Sequence, residues 1–129
     1  MAEEQLKKQR VFVVEDDIFM VELLTNELKN AGLDTYSYQL GQDAIDKFAE
    51  LQPDLIVLDI LLPDKNGFEV LREIRRLPNG THTKVLVLSN MAEDVDKEQA
   101  TRLGVQEYLV KANYSLPEIL AKIRALLFM

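Results

Sequence analysis

Several short segments of the sequence end in side chains that could do chemistry. An acidic triplet ends the first of these segments, and a carboxylate, a hydroxyl and an amine end three later ones. In chain order, these residues are Glu15, Asp16 and Asp17, then Asp59, then Ser89, then Lys111. Carboxylates that share a site repel one another, so a bound cation is favoured between them. Ligands that are all oxygens, at an open and partly aqueous site, favour Mg²⁺ or Mn²⁺ over zinc.

The same residue types are suited to holding a phosphoryl group. A divalent ion neutralises its charge, the ammonium of Lys111 acts as a point charge, and the hydroxyl of Ser89 donates a hydrogen bond. A carboxylate held there, such as that of Asp59, can act as a nucleophile and become an acyl phosphate. Taken singly, each residue has an ordinary structural explanation, since Asp16 or Asp17 could simply cap a helix. Their combination favours the functional interpretation.

The segments that must position these residues alternate between two patterns. Short runs rich in β-branched, apolar or aromatic residues are typical of strands, and they occupy residues 10–15, 33–38, 54–59, 83–89 and 107–111. Apolar residues at helical spacing follow each run, most weakly over 92–103. The last helix is expected to begin with a capping box from Ser115 to Glu118.

This alternation predicts an α/β fold with a parallel sheet, helices on both faces and right-handed crossovers. The runs at 10–15, 54–59 and 83–89 are apolar almost throughout, as strands buried on both faces should be, whereas 33–38 is polar and suits an edge. These polarities favour a doubly wound, five-stranded parallel sheet in the order 2-1-3-4-5, which is the flavodoxin-like (βα)5 arrangement. In such sheets the functional crevice lies beyond the carboxyl ends of the strands, where the chemically active residues would meet.

Length and composition narrow the class of protein. The chain has 129 residues and no cysteine, which predicts one domain without disulfides or thiolate chemistry. A net charge of −7 argues against direct binding to nucleic acid. No apolar run approaches membrane-spanning length and the N-terminus lacks a signal-peptide pattern, so we expect no membrane contact and a cytoplasmic location. Residues 1–9 are expected to be a polar extension and residues 10–129 the domain.

Four motifs together resemble the receiver domain of two-component response regulators, over residues 9–127. They are "VVEDD", "LDILLPDKNG", "VLVLSN" and "YLVK". The resemblance implies that Asp59 accepts a phosphoryl group from a phosphohistidine on a sensor histidine kinase or a phosphotransfer protein. It also implies that a downstream target protein or an output domain responds. Homodimerisation stays open, as does the choice between a stand-alone receiver and part of a longer regulator.

The resemblance also implies how the acidic residues bind a metal ion. Asp16, Asp59 and the backbone carbonyl of Leu61 would be direct ligands, and Glu15 would hold a metal-bound water. Asp17 lies outside the usual acidic pair of such domains and is expected only to cap a helix.

A conformational switch is a further implication of the resemblance. Lys111 and the hydroxyl of Ser89 would bind phosphoryl oxygens. Ser89 would move toward the phosphoryl group and Tyr108 would swing inward, which changes the surface formed by the fourth helix, fifth strand and fifth helix. The weak apolar face at 92–103 fits a loosely held helix that such a switch could move.

The sequence departs from the common receiver pattern at several positions. Asn90 follows the switch hydroxyl where a small residue is usual, and it could narrow the site or add a hydrogen bond. Ala112 replaces the proline that usually follows Lys111, so the bond between them is either trans, with a displaced loop, or strained. Leu61 and Met91 are apolar at positions near which water attacks the acyl phosphate, which predicts slow self-dephosphorylation.

Three other functions compete with this interpretation. A receiver-like module that binds proteins without being phosphorylated is favoured only by Asn90 and Ala112. A phosphatase with Asp59 as nucleophile would usually carry a second acid at position 61, which is leucine here. A flavin carrier would need a phosphate-binding loop where the acidic "EDDIF" stands. The single histidine, His82, lies in a polar loop and is expected to be exposed to solvent.

Overall fold

The computed structural model describes residues 8–128, in which strands and helices alternate. The strands are β1 (Arg10–Val14), β2 (Asp34–Tyr38), β3 (Leu55–Leu58), β4 (Lys84–Ser89) and β5 (Glu107–Val110). The helices are α1 (Ile18–Asn30), α2 (Gly41–Leu51), α3 (Gly67–Arg76), α4 (Asp94–Arg102) and α5 (Leu116–Leu127), and Lys111–Asn113 form a 3₁₀ turn. Each strand lies within about one residue of its predicted position. Of the expected polar extension, residues 1–7 lie outside the described residues.

The strands form one parallel sheet in the order β2-β1-β3-β4-β5, as the sequence predicts. The register explains why chemically active residues meet at one edge. Val14 of β1 is paired with Leu58 of β3, so the residues that follow them, Glu15 and Asp59, emerge side by side. Ser89 is paired with Val110, which directly precedes Lys111.

The side chains of the central strands are buried in two separate layers. One layer packs between the sheet and the pair α1 and α5, and it includes Val11, Val57 and Leu88. The other packs beneath α2 and α3, and it includes Phe12, Leu58 and Val87. Because successive strand residues point to opposite faces, a strand covered on both faces must be apolar at every position. The sheet can therefore hold its last residues rigidly at the edge.

Local signals set the beginnings of two helices next to that edge. The carboxylate of Asp17 caps α1 by accepting hydrogen bonds from the backbone N–H groups of Phe19 and Met20, which confirms its expected role. The capping box of Ser115 and Glu118 begins α5 as predicted. Within residues 8–128, no helix has the length and hydropathy needed to cross a bilayer.

The fourth helix is the least firmly packed helix of the fold. It is shorter than the 92–103 stretch predicted, and only Asp96 and Ala100 on it are buried. A helix with so little buried apolar surface is held weakly by packing alone.

Candidate functional site

Three carboxylates converge at the carboxyl edge of the sheet. Glu15 and Asp16 follow β1 and Asp59 follows β3, and one carboxylate oxygen of each lies within 4.8 Å of the others. The side chains differ in exposure: Glu15 is 3% and Asp59 is 5% exposed, whereas Asp16 is open to solvent. This donor set consists only of oxygens and is partly accessible to water, which fits a hard divalent cation such as Mg²⁺.

The amine of Lys111 reaches across the end of β4 into this acidic group. Its Nζ lies 2.6 Å from Oε1 of Glu15 and 2.9 Å from Oδ2 of Asp59. Burial on its own would lower the pKa of Lys111, but the hydrogen bonds to Glu15 and Asp59 outweigh it and raise the pKa above its usual value. The amine is therefore a charged ammonium that offsets the negative charge of two buried carboxylates.

Glu15 carries the most strongly perturbed carboxylate of this group. Burial raises its pKa to about 7, and the negative charge of Asp59 acts in the same direction. Hydrogen bonds from Lys111 and from the backbone N–H of Asp17 oppose that rise. The nearby ammonium of Lys111 thus reduces the cost of keeping this buried carboxylate ionised.

The loop that follows Asp59 turns back sharply toward the sheet. The backbone N–H of Leu61 donates to Oδ1 of Asp59 over 3.2 Å, and Leu61 also bridges to Asn66. The N–H of Gly67 donates to the carbonyl of Ile60. A Cβ on Gly67 would lie only 2.5 Å from the carbonyl oxygen of Asp59, so only glycine allows this approach. The loop is thereby packed directly beneath Asp59.

Ser89 and Tyr108 are linked through the backbone of Met91. Ser89 is fully buried at the end of β4, and its Oγ accepts a hydrogen bond from the N–H of Met91 at 3.3 Å. The hydroxyl of half-buried Tyr108 donates to the carbonyl of Met91 at 2.8 Å. Burial, together with the charges of Asp96 and Asp59, raises the pKa of Tyr108 to about 12, so its hydroxyl stays a donor at neutral pH.

The positions that depart from the common pattern lie around the rim of this site. Asn90 and Ala112 are exposed, Met91 is half-buried, and Leu61 is 57% exposed. Among residues 8–128 there is no cis peptide bond, so the bond from Lys111 to Ala112 is trans. The trans bond does not displace the lysine, because its Nζ still reaches Asp59. His82 is exposed, as expected.

The role of one residue in this region could not be predicted from the sequence. Asp64, in the loop after Asp59, accepts hydrogen bonds from the backbone N–H groups of Gly41 and Gln42 at the start of α2. The partners are more than twenty residues away along the chain, so no local pattern indicates the contact. The available signal was that Leu40, which precedes the helix, cannot cap it with its side chain.

The domain is a doubly wound α/β domain whose five-stranded parallel sheet carries an acidic group and a lysine at its carboxyl edge. Comparison with known proteins identifies its family. Residues 11–124 match the model of the response regulator receiver domain. The chain therefore belongs to the response regulator receiver domain family.

Solved structures agree with this assignment. The non-phosphorylated receiver domain of HemR from Leptospira biflexa is 26% identical with a TM-score of 0.87, over 95% of this chain and 96% of that one. The BeF3-activated N-terminal receiver domain of RstA from Klebsiella pneumoniae is 25% identical with a TM-score of 0.80, and the match covers 94% of this chain and 100% of that one. The response regulator domain of Thermotoga maritima CheB is 30% identical with a TM-score of 0.79, and the match covers 95% of this chain and 98% of that one.

Proposed function

We propose that this receiver domain, residues 10–129, accepts a phosphoryl group onto Asp59 from a phosphohistidine of a sensor histidine kinase or a phosphotransfer protein. The observation that carries the proposal is the position of Asp59, which lies inside the acidic group and 2.9 Å from the ammonium of Lys111. An Asp59 oxygen would attack phosphorus while the bond from phosphorus to the histidine nitrogen breaks, and its electron pair leaves with the imidazole. The product is an acyl phosphate.

The acidic group would hold Mg²⁺ or Mn²⁺ for this transfer. Asp16, Asp59 and the backbone carbonyl of Leu61 would be its direct ligands, and Glu15 would bind it through water. The bound ion would supply charge neutralisation for the phosphoryl oxygens. Lys111 would bind one phosphoryl oxygen through the ammonium that is already directed at Asp59.

The link between Ser89, Met91 and Tyr108 supports a switch driven by the phosphoryl group. If Ser89 donates its hydroxyl to a phosphoryl oxygen and moves toward it, its contact with the N–H of Met91 must change. The carbonyl of Met91 also accepts a hydrogen bond from the hydroxyl of Tyr108. A shift at Ser89 would thus be passed to β5 and to the weakly packed α4, and would alter the α4–β5–α5 surface. A downstream target protein or an output domain would bind that surface, and the 92–127 face could also form a homodimer.

The decisive test is the intact mass of the protein after incubation with acetyl phosphate and Mg²⁺. We expect one phosphoryl adduct in the wild type that requires Mg²⁺ and is absent from Asp59→Asn. Asp43→Asn is the matched control, because it removes the same charge from an exposed position on α2 and should keep the adduct. No adduct with acetyl phosphate or with phosphoramidate would instead favour a receiver-like module that binds proteins without phosphorylation.

A further inference from the structure

The loop after Asp59 is fastened to the beginning of α2 by a single carboxylate. Oδ1 of Asp64 lies 2.8 Å from the backbone N of Gly41, and Oδ2 lies 2.9 Å from that of Gln42. Desolvation acts in the other direction, but these N–H groups and those of Asp64 and Lys65 hold the pKa of Asp64 below its usual value. Asp64 is therefore ionised at neutral pH and makes both hydrogen bonds as an acceptor.

This contact replaces a cap that α2 lacks in its own sequence. The first N–H groups of a helix have no partner within the helix, and the helix end carries partial positive charge. Leu40, at the N-cap position, provides no side-chain hydrogen bond. Asp64 satisfies these groups from a different segment of the chain, so the loop and the helix hold each other in place.

The loop and the start of α2 are also closely packed against each other. A Cβ on Gly41 would collide with Cγ2 of Val70 on α3 and would lie 3.3 Å from Cδ1 of Leu62 in the loop. Gly41 is buried, and the absence of its side chain is what lets the helix end approach the loop. The loop therefore rests against a rigid surface and is pinned to it at Asp64.

Leu61 lies in the same loop, between the carboxylate of Asp59 and the anchor at Asp64. Its N–H already donates to Asp59, and its bridge to Asn66 closes the loop around the intervening residues. A displacement of Asp64 must therefore move the backbone of Leu61 or break these contacts. Residues behind the direct ligands commonly set metal affinity in this way.

We infer that Asp64 is a positioning residue of the metal site, which fixes the backbone of Leu61 and the orientation of Asp59 by anchoring their loop to the start of α2. This inference rests on the proposed function, since that function makes the Leu61 carbonyl and Asp59 metal ligands. Asp64 touches neither the metal nor the phosphoryl group. Its contribution would be to hold the loop ready, so that binding Mg²⁺ does not require the loop to be ordered first.

The test is the Mg²⁺ dissociation constant of the full chain, measured by isothermal titration calorimetry. We expect Asp64→Ala, which removes both acceptors, to raise the Kd for Mg²⁺ about tenfold. Asp64→Asn removes the charge but keeps one oxygen acceptor, and it should fall between the wild type and Asp64→Ala. Asp43→Asn removes a charge from the first turn of the same helix without touching the loop, and it should bind Mg²⁺ as the wild type does.

Thermal unfolding with EDTA and with Mg²⁺ separates positioning from a purely structural role. A structural role alone would lower the Tm equally in both conditions and leave the Kd unchanged. Positioning predicts that the rise in Tm caused by a fixed Mg²⁺ concentration is smaller in Asp64→Ala than in the wild type. Matching rises in Tm and matching Kd values would overturn the inference.

Two further outcomes are equally informative. If Asp43→Asn, which removes a charge from the same helix end, weakens binding as much as Asp64→Ala, loss of charge rather than loss of the anchor explains the change, and the inference is wrong. If the wild type binds no Mg²⁺, the proposed metal site fails and this inference fails with it. Normal binding by the wild type with unchanged binding by Asp64→Ala overturns the inference alone.

Discussion

Arg75, on α3, joins three parts of the fold through hydrogen bonds to backbone carbonyls. Its guanidinium donates to the carbonyls of Gly80 and Thr83 at 2.7 Å, and to those of Leu103 and Gly104 at 2.9 and 3.1 Å. Burial lowers its pKa, but a guanidinium stays protonated in proteins. The last two carbonyls lie just beyond α4, so this arginine fixes the far end of that weakly packed helix. We therefore expect Arg75 to be one of the most sensitive positions outside the core.

The size of the effect follows from the surroundings of the four carbonyls. Arg75→Met keeps most of the apolar stem and removes every donor. Gly80 and Thr83 are buried, so their carbonyls would lose a partner without gaining water, at about 1.5 kcal/mol each. Leu103 and Gly104 are more exposed and can bind water instead. The expected loss in the free energy of unfolding is about 3 kcal/mol, or about 12 °C in Tm for a chain of this length.

Urea unfolding of Arg75→Met beside Arg76→Met measures this loss. Arg76 is the next residue of α3, is exposed, and undergoes the same change in charge, so its variant should stay within about 0.5 kcal/mol of the wild type. Amide hydrogen exchange should also become faster in α4 of the Arg75 variant, because that helix loses its anchor. A loss below about 1 kcal/mol for Arg75→Met would refute the reasoning, since two buried carbonyls could not then have been left without partners.

Three other changes test the site. Gly67→Ala should lower the free energy of unfolding by about 2 kcal/mol in urea, because its Cβ would lie 2.5 Å from the Asp59 carbonyl; an unchanged midpoint would contradict this packing. Tyr108→Phe should cost about 1 kcal/mol through loss of the hydrogen bond to Met91, measured in the same way, and no loss would mean that this bond adds nothing. The side chains of Leu61 and Met91 cannot orient an attacking water, so the phosphoryl adduct should decay slowly when followed by mass, and a half-life of seconds would disprove this.

The residues that follow the strands could be predicted from the sequence because strand ends are set by local chemistry. A strand buried on both faces must be apolar at each position, so the first charged residue marks where it leaves the sheet. That rule placed Glu15 and Asp59 correctly at one edge, and the parallel order of the strands brings Lys111, after the edge strand β5, to the same place. The residue types could not predict that the ammonium of Lys111 contacts Glu15 as closely as Asp59, because that depends on how a long side chain crosses the end of β4.

The geometry of the peptide bond after Lys111 is a second feature that the sequence could not predict. Without the usual proline, the sequence left both a displaced loop and a strained loop open. The structure has a trans bond that leads into a 3₁₀ turn, and Lys111 still contacts both carboxylates. The length and freedom of the lysine side chain absorb the change in the backbone, which residue identities alone do not reveal.

The sequence by itself determined the fold class, the order of the strands and the edge at which the functional residues collect, because hydrophobic periodicity and helix capping act over a few residues. Only the tertiary structure decided how the loop after Asp59 is anchored to α2 by Asp64 and how α4 is anchored by Arg75. Both anchors are hydrogen bonds from one segment to the backbone of a distant one. Every residue except proline offers the same backbone N–H and carbonyl groups, so their partners are chosen by packing and leave no mark in the sequence.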